Sequence, residues 1–252
     1  MHTFPYTERR FIAQIDGSEQ TYLLLLPARL EQADTLVVAF HGHGSHQEQF
    51  MTPGIYWDTF GQLTRLMQER NIIYAALEYR GNSWMGPAAE ADTQQVIAEL
   101  RTEFSPQHVL LVGGSMGGTS VLIYAALNPA GLDGVLSLCP ATDMEEFYHE
   151  SLAGPLPALA EAFQSSYGGS PQEVPQAYHL RSSRRHPECL TMPLTIIHGD
   201  ADALVSVNHS RALVQRLNEI GAPVRYVEIP GGDHDSPVPM TAEEVAALLN
   251  RL

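Results

Sequence analysis

The chain has 252 residues, 44% of them hydrophobic, which is ample for the buried core of one large α/β domain. Fourteen Lys and Arg against 29 Asp and Glu give a formal charge of −15, which argues against nucleic acid or an anionic membrane as a partner. No run approaches the roughly 18 to 20 apolar residues of a membrane helix, and the opening MHTFPYTERRFIAQIDG has no apolar signal region behind a basic start, so a cytoplasmic location is expected.

In chain order, strand-like runs read RRFIAQI (Arg9 to Ile15), TYLLLL (Thr21 to Leu26), TLVVAF (Thr35 to Phe40), NIIYAAL (Asn71 to Leu77), HVLLV (His108 to Val112), GVLSL (Gly134 to Leu138), LTIIH (Leu194 to His198) and VRYVEI (Val224 to Ile229). From the third onward they are short and continuously apolar, as strands covered on both faces are. The first two alternate more and predict an antiparallel edge. Helix-period segments lie near Trp57 to Arg70, Ala88 to Glu103, Thr119 to Leu127, Ser206 to Ile220 and Thr241 to Leu252. This alternation predicts an α/β fold, with a mostly parallel eight-stranded sheet flanked by helices. No linker divides residues 1–252, which read as a single domain.

Asp143 to Pro193 breaks the rhythm, with prolines at 155, 157, 171, 175, 187 and 193 and one short helix-like piece near Ala158 to Gln164. An insertion of this length after the sixth strand is too short for a second domain and long enough to wall a pocket, so it reads as lid-like. The two cysteines, Cys139 and Cys189, make neither a disulfide framework nor a metal site, and reduced thiols are expected.

The chemistry concentrates at strand ends. Gly113-Gly114-Ser115-Met116-Gly117 follows the HVLLV strand and precedes a helix, the setting in which a sharp, strained turn presents a serine hydroxyl. Gly113, Gly117 and Gly118 remove side chains that would strike the neighbouring strand and helix. The competing reading is a glycine-rich turn whose serine only caps the helix. A nucleophilic serine needs a base and an orienting acid downstream, and both stand after strands. His234 lies in PGGDHDSP after VRYVEI and is the expected base. GDADALV after LTIIH supplies Asp202 as the acid, with Asp200 as its rival and Asp143 as a third candidate. The loop His41-Gly42-His43-Gly44-Ser45 after TLVVAF matches an oxyanion loop with His43 in place of a glycine, so the His43 and Met116 amides are the expected oxyanion donors. A metal site on His41, His43 and His46 is disfavoured, because no carboxylate or cysteine completes the set. Neither a metal nor a cofactor is expected. Arg80, Trp84 and Tyr148 are candidate pocket residues.

With these residues in view, the chain resembles the α/β-hydrolase superfamily, and within it the prolyl oligopeptidase-like and dienelactone hydrolase-like esterase group. The likeness runs through EYRGNSWMGPA (Glu78 to Ala88), GGSMGG, YGGSPQEVPQAYHLRSS (Tyr167 to Ser183) and HGDADALV, the last similar to an acid loop HG-x-x-D-x-x-V whose aspartate falls on Asp202. Dienelactone hydrolases use cysteine where this chain has Ser115, and the residues before Phe40 leave no room for the β-propeller of prolyl oligopeptidases. The resemblance therefore implies a carboxylesterase acting on a small-molecule ester through a Ser-Asp-His triad and an acyl-enzyme. A serine peptidase or aminoacyl amidase is the first alternative, and a non-catalytic binding protein on a hydrolase scaffold is the second.

Overall fold

A computed structural model describes residues 6–51 and 54–252. Its eight strands are β1 (Tyr6–Ile12), β2 (Glu19–Leu25), β3 (Thr35–Phe40), β4 (Ile72–Leu77), β5 (His108–Gly114), β6 (Gly134–Leu138), β7 (Leu194–Gly199) and β8 (Val224–Ile229). They form one sheet in the order β1-β2-β4-β3-β5-β6-β7-β8. The first two are antiparallel to each other and β2 is antiparallel to β4, whereas β3 through β8 run parallel. Every residue of β3, β4, β6 and β7 is buried, which is why those stretches are largely apolar rather than alternating. The expected first strand is displaced: β1 begins at Tyr6 and ends at Ile12, because Asp16 and Gly17 already form the turn into β2. Gly17 sits there at φ 76°.

The helices are α1 (Ile55–Arg70), α2 (Pro87–Phe104), α3 (Met116–Leu127), α4 (Met144–Ala153), α5 (Ala158–Tyr167), α6 (Pro175–Leu180), α7 (Asn208–Glu219) and α8 (Thr241–Leu249). Period-two alternation divides the core between the two faces of the sheet. Leu36, Val38 and Phe40 of β3 join Val96 and Leu100 of α2, Val121 of α3 and Leu213 of α7. Val37 and Ala39 join Phe60 and Leu63 of α1 and Val245 of α8 on the other face. Helix α3 is buried along its length except at Leu127, as a helix that starts against the middle of a sheet must be. Among the described residues, no helix is long and apolar enough to cross a membrane.

The segment between β6 and β7 holds three α-helices, of which only α5 was expected from its pattern. Phe147 of α4 and Phe163 of α5 pack on Trp84, with ring centroids 5.6 and 4.9 Å from the indole. Since β3 and β5 to β8 are parallel, their carboxyl ends lie on one edge of the sheet. The loops carrying His43, Ser115, Cys139, Asp202 and His234 all leave from it.

Candidate active site

Ser115 occupies φ 57°, ψ −120°, a left-handed conformation that costs a non-glycine residue about 1–3 kcal/mol. Its amide donates to the Leu138 carbonyl at 2.9 Å, and its own carbonyl accepts from Thr119 at 2.9 Å. Its hydroxyl makes no capping bond to α3, so the capping reading has no support in the geometry. The backbone is crowded as the glycines require: a Cβ on Gly117 would lie 2.2 Å from the Phe40 oxygen, and one on Gly113 would lie 2.4 Å from the Gly117 carbonyl. Gly117→Ala is therefore expected to force β3 and α3 apart and to lower stability by about 3 kcal/mol or more, read as a fall in the urea midpoint. An unchanged midpoint would mean that the turn is looser than described.

His234 and Ser115 line one small cavity of about 30 Å³, together with Gln49, Phe50, Tyr56, Gly114, Leu138, Cys139, Asp235 and Val238. His234 Nδ1 donates to Asp202 Oδ2 at 2.6 Å, which leaves Nε2 as the ring nitrogen free to accept a proton. Asp202 has a fully buried side chain, and its Oδ1 accepts from the Leu204 and Val205 amides at 2.8 and 3.0 Å. Burial opposes its charge, but hydrogen bonds from His198, His234 and the Val205 amide outweigh that and hold the carboxyl well below the usual range. Burial likewise opposes charge on His234, and the Asp202 carboxylate reverses the balance, so the imidazole pKa is raised.

The other two candidate acids are engaged elsewhere. Asp200 accepts from the Gly231 amide at 2.6 Å and ties the two loops together. Asp143 caps α4 through Glu146 and pairs with Arg184 and Arg185; burial works against its charge, yet the two arginines hold it down to about 2.

One partner of Asp202 was absent from the sequence reading. His198, fully buried at the end of β7, places Nε2 3.2 Å from Asp202 Oδ2 and 3.0 Å from the Val205 carbonyl. Both are acceptors, so Nε2 carries the proton and Nδ1 accepts from the Ser210 hydroxyl at 2.7 Å. The signal was a histidine closing the otherwise largely apolar run LTIIH. A histidine with no exposed surface has to find partners. Tyr56, at the start of α1, lines the Ser115 cavity and was not singled out by its sequence: burial and Asp235 push its hydroxyl up to about 12, and it donates to Asp235 at 3.3 Å.

The loop after β3 is held at each neighbour of His43. Gly42 donates to Gln49 Oε1 at 2.6 Å, Gly44 donates to Asn82 Oδ1 at 2.7 Å, and the Tyr79 hydroxyl donates to the His41 carbonyl at 2.6 Å. The His43 amide has no acceptor among the described residues. Met116 opens α3, where the first amides of a helix have no partner within it. The His43 ring accepts from the Trp84 indole at 3.2 Å, which fixes its tautomer.

The three candidate pocket residues are placed differently. Arg80 and His43 line a wider groove of about 680 Å³, whose far wall is α5 through Ala158, Glu161, Ala162, Ser165 and Ser166. The Arg80 guanidinium is taken up by Asp16 at 2.5 Å and Asp92 at 2.6 Å, so its charge serves the fold. Trp84 is 1% exposed and Tyr148 6%, and both belong to the aromatic core under the insertion. A large amphipathic side chain near a strand end is as useful for packing as for a pocket, and packing holds these two.

The sequence pattern of the prolyl oligopeptidase family matches residues 57–250, a span that contains Ser115, Asp202 and His234. The chain belongs to the prolyl oligopeptidase family. It is accordingly a serine hydrolase of the α/β-hydrolase superfamily. It is 35% identical over 173 residues to YtmA of Bacillus subtilis (strain 168), described as an uncharacterized peptidase, across 65% of each chain. Solved structures that share its fold include an esterase and a peptidase. The esterase Pf2001 of Pyrococcus furiosus superposes with a TM-score of 0.71 at 15% identity, over 98% of this chain and 93% of that one. The acylaminoacyl peptidase of Pyrococcus horikoshii gives 0.72 at 15% identity, over 97% of this chain but only 41% of the peptidase.

Proposed function

We propose that this member of the prolyl oligopeptidase family hydrolyses carboxylic esters through an acyl-enzyme on Ser115. The observation that carries the proposal is the 2.6 Å bond from His234 Nδ1 to Asp202, made by a histidine that shares a cavity with Ser115. His234 Nε2 accepts the Ser115 hydroxyl proton as Oγ attacks the acyl carbonyl, then returns it to the departing alcohol. Asp202 keeps the proton on Nδ1 and stabilises the imidazolium, and His198 holds Asp202 from behind. The His43 and Met116 amides stabilise the tetrahedral oxyanion, with the positive end of α3 behind the second. Water then repeats the sequence on the acyl-enzyme.

The ester reading rests on the size and lining of the site. A cavity of about 30 Å³ walled by Phe50, Tyr56, Leu138 and Val238 has room for little more than a water-sized group and so favours the smallest acyl groups. The polar groove beside His43, with the insertion helix α5 as its wall, suits the alcohol side. Cleavage of aminoacyl or peptidyl amides is the second reading, favoured by the likeness to YtmA. A panel of short-chain esters, thioesters and aminoacyl amides, run on wild type and Ser115→Ala, separates them. The expected result is a higher kcat/KM for short esters than for any amide, lost in the variant; a preference for the amides would replace the ester reading by the second. Absence of turnover across the whole panel would favour a binding protein on the same scaffold.

A further inference from the structure

Cys139 stands one residue beyond β6, at the same sheet edge as Ser115, in a left-handed conformation at φ 42°. Its amide donates to the Ile197 carbonyl at 2.8 Å, which points the backbone firmly while the thiol joins the wall of the Ser115 cavity. Sγ lies 3.4 Å from the His234 carbonyl and 3.9 Å from His234 Nε2. The hydrolytic sequence above gives this thiol no task.

Cys139, Asp202 and His234 each offer a ligand-type atom within 4.8 Å of the others. In a tetrahedral site with Zn–S near 2.3 Å and Zn–N near 2.0–2.1 Å, the sulfur and nitrogen sit about 3.6 Å apart. The observed 3.9 Å needs only a few tenths of an ångström of adjustment. A metal-bound imidazole ordinarily donates its other ring N–H to a carboxylate, which fixes its orientation and raises its basicity. Asp202 already does this to His234 at 2.6 Å, and His198 holds Asp202 in turn. The dyad that orients a base thus also orients a metal ligand, and Cys139 adds the thiolate that selects soft cations.

We propose that a thiophilic divalent cation, Zn²⁺ or Cd²⁺, binds between Cys139 Sγ and His234 Nε2 and switches the hydrolase off. On binding, the Cys139 S–H proton passes to solvent, an S–metal bond forms, and the Nε2 lone pair is taken by the metal; water fills the remaining positions. Nothing is oxidised or reduced, so a chelator restores the free thiol and imidazole. The inhibitory consequence rests on the reading of His234 as base, but the binding does not.

Cadmium titration of the intact protein tests both parts at once, by following the ultraviolet thiolate-to-cadmium charge-transfer band and, in the same samples, ester hydrolysis relative to each variant's own rate. The expected result is a band and a loss of hydrolysis that rise together and are reversed by EDTA. Cys139→Ala and Cys139→Ser should lose the band and become at least 10-fold less sensitive, on the scale seen when ligand shells are disrupted. His234→Ala should bind at least 10-fold more weakly by the band alone, and Cys189→Ala should match wild type. A band that persists in both Cys139 variants, or that disappears in Cys189→Ala, would overturn the site. A band that depends on Cys139 and His234 while hydrolysis continues unaffected would leave the site standing and overturn the role of His234 instead.

Discussion

Ser115→Ala is expected to lower kcat on short-chain esters by a factor on the order of 10⁴ or more, with no loss of folded protein. Alanine keeps the Cβ and the strained backbone at φ 57°, so the turn, the Met116 amide and the cavity should persist while the attacking oxygen is gone. The residual rate then comes from the oxyanion donors and substrate positioning alone. Ser115→Gly removes the same oxygen and the Cβ that makes this conformation costly. It should be as inactive as the alanine variant and about 1 kcal/mol more stable in urea denaturation. Such a trade of stability for function is expected where the fold strains a residue to expose it. A Ser115→Ala enzyme that retained wild-type kcat would remove the serine from the reaction.

Asp202→Asn has the second largest expected effect, and its direction follows from the hydrogen bonds. Two backbone amides, those of Leu204 and Val205, donate to Oδ1, so the asparagine oxygen must stay on that side. The amide nitrogen is then turned toward His234 Nδ1 and His198 Nε2. His234 can satisfy it only by carrying its proton on Nε2, the nitrogen that has to accept from Ser115. A fall in kcat of roughly 10⁴ is expected from the wrong tautomer. The pH behaviour follows with it. Because Asp202 raises the His234 pKa, the rise of kcat/KM with pH in wild type should have its midpoint above the ordinary histidine value of about 6.5. The residual activity of Asp202→Asn should have its midpoint lower. Stability runs the other way. The raised His234 contributes stability that is complete below about pH 6.5 and is lost as pH rises through its folded value. The depressed Asp202 contributes stability that is complete above about pH 3.9 and is lost as pH falls through its folded value. The pair therefore stabilises most between those limits, and wild type should lose stability relative to Asp202→Asn as the medium turns alkaline. Equal urea midpoints for the two proteins at every pH would contradict the pairing.

Much of the sheet was legible because its physics is local. Strands buried on both faces must be largely apolar, and β3 to β7 are, apart from Thr35, His108, Ser137, Thr195 and His198. The turn at Ser115 was legible for the same reason: Gly113, Gly117 and Gly118 stand where a Cβ would lie within 2.4 Å of another backbone atom. Helices α4 and α6 were not legible. Each is short, and each is held by groups far away in sequence, α4 by an Asp143 cap locked by Arg184 and Arg185, and α6 by the burial of Tyr178 against Tyr148 and Tyr167. Arg80 illustrates the converse, since its sequence neighbours do not reveal that Asp16, 64 residues earlier, claims its guanidinium. His198 and Cys139 were in plain view at strand ends, where nothing in the local sequence gives them a chemical role. What identifies them is the carboxylate or imidazole that the fold brings to them, and that depends on the order of strands in the sheet.

Covalent trapping tests most directly whether Ser115 Oγ carries the acyl group. Wild-type protein treated with a fluorophosphonate probe, digested and read by mass spectrometry, should carry one adduct, on the peptide containing Ser115, with matching loss of ester hydrolysis and no labelling of Ser115→Ala. Labelling at another residue, or full labelling of the alanine variant, would contradict it.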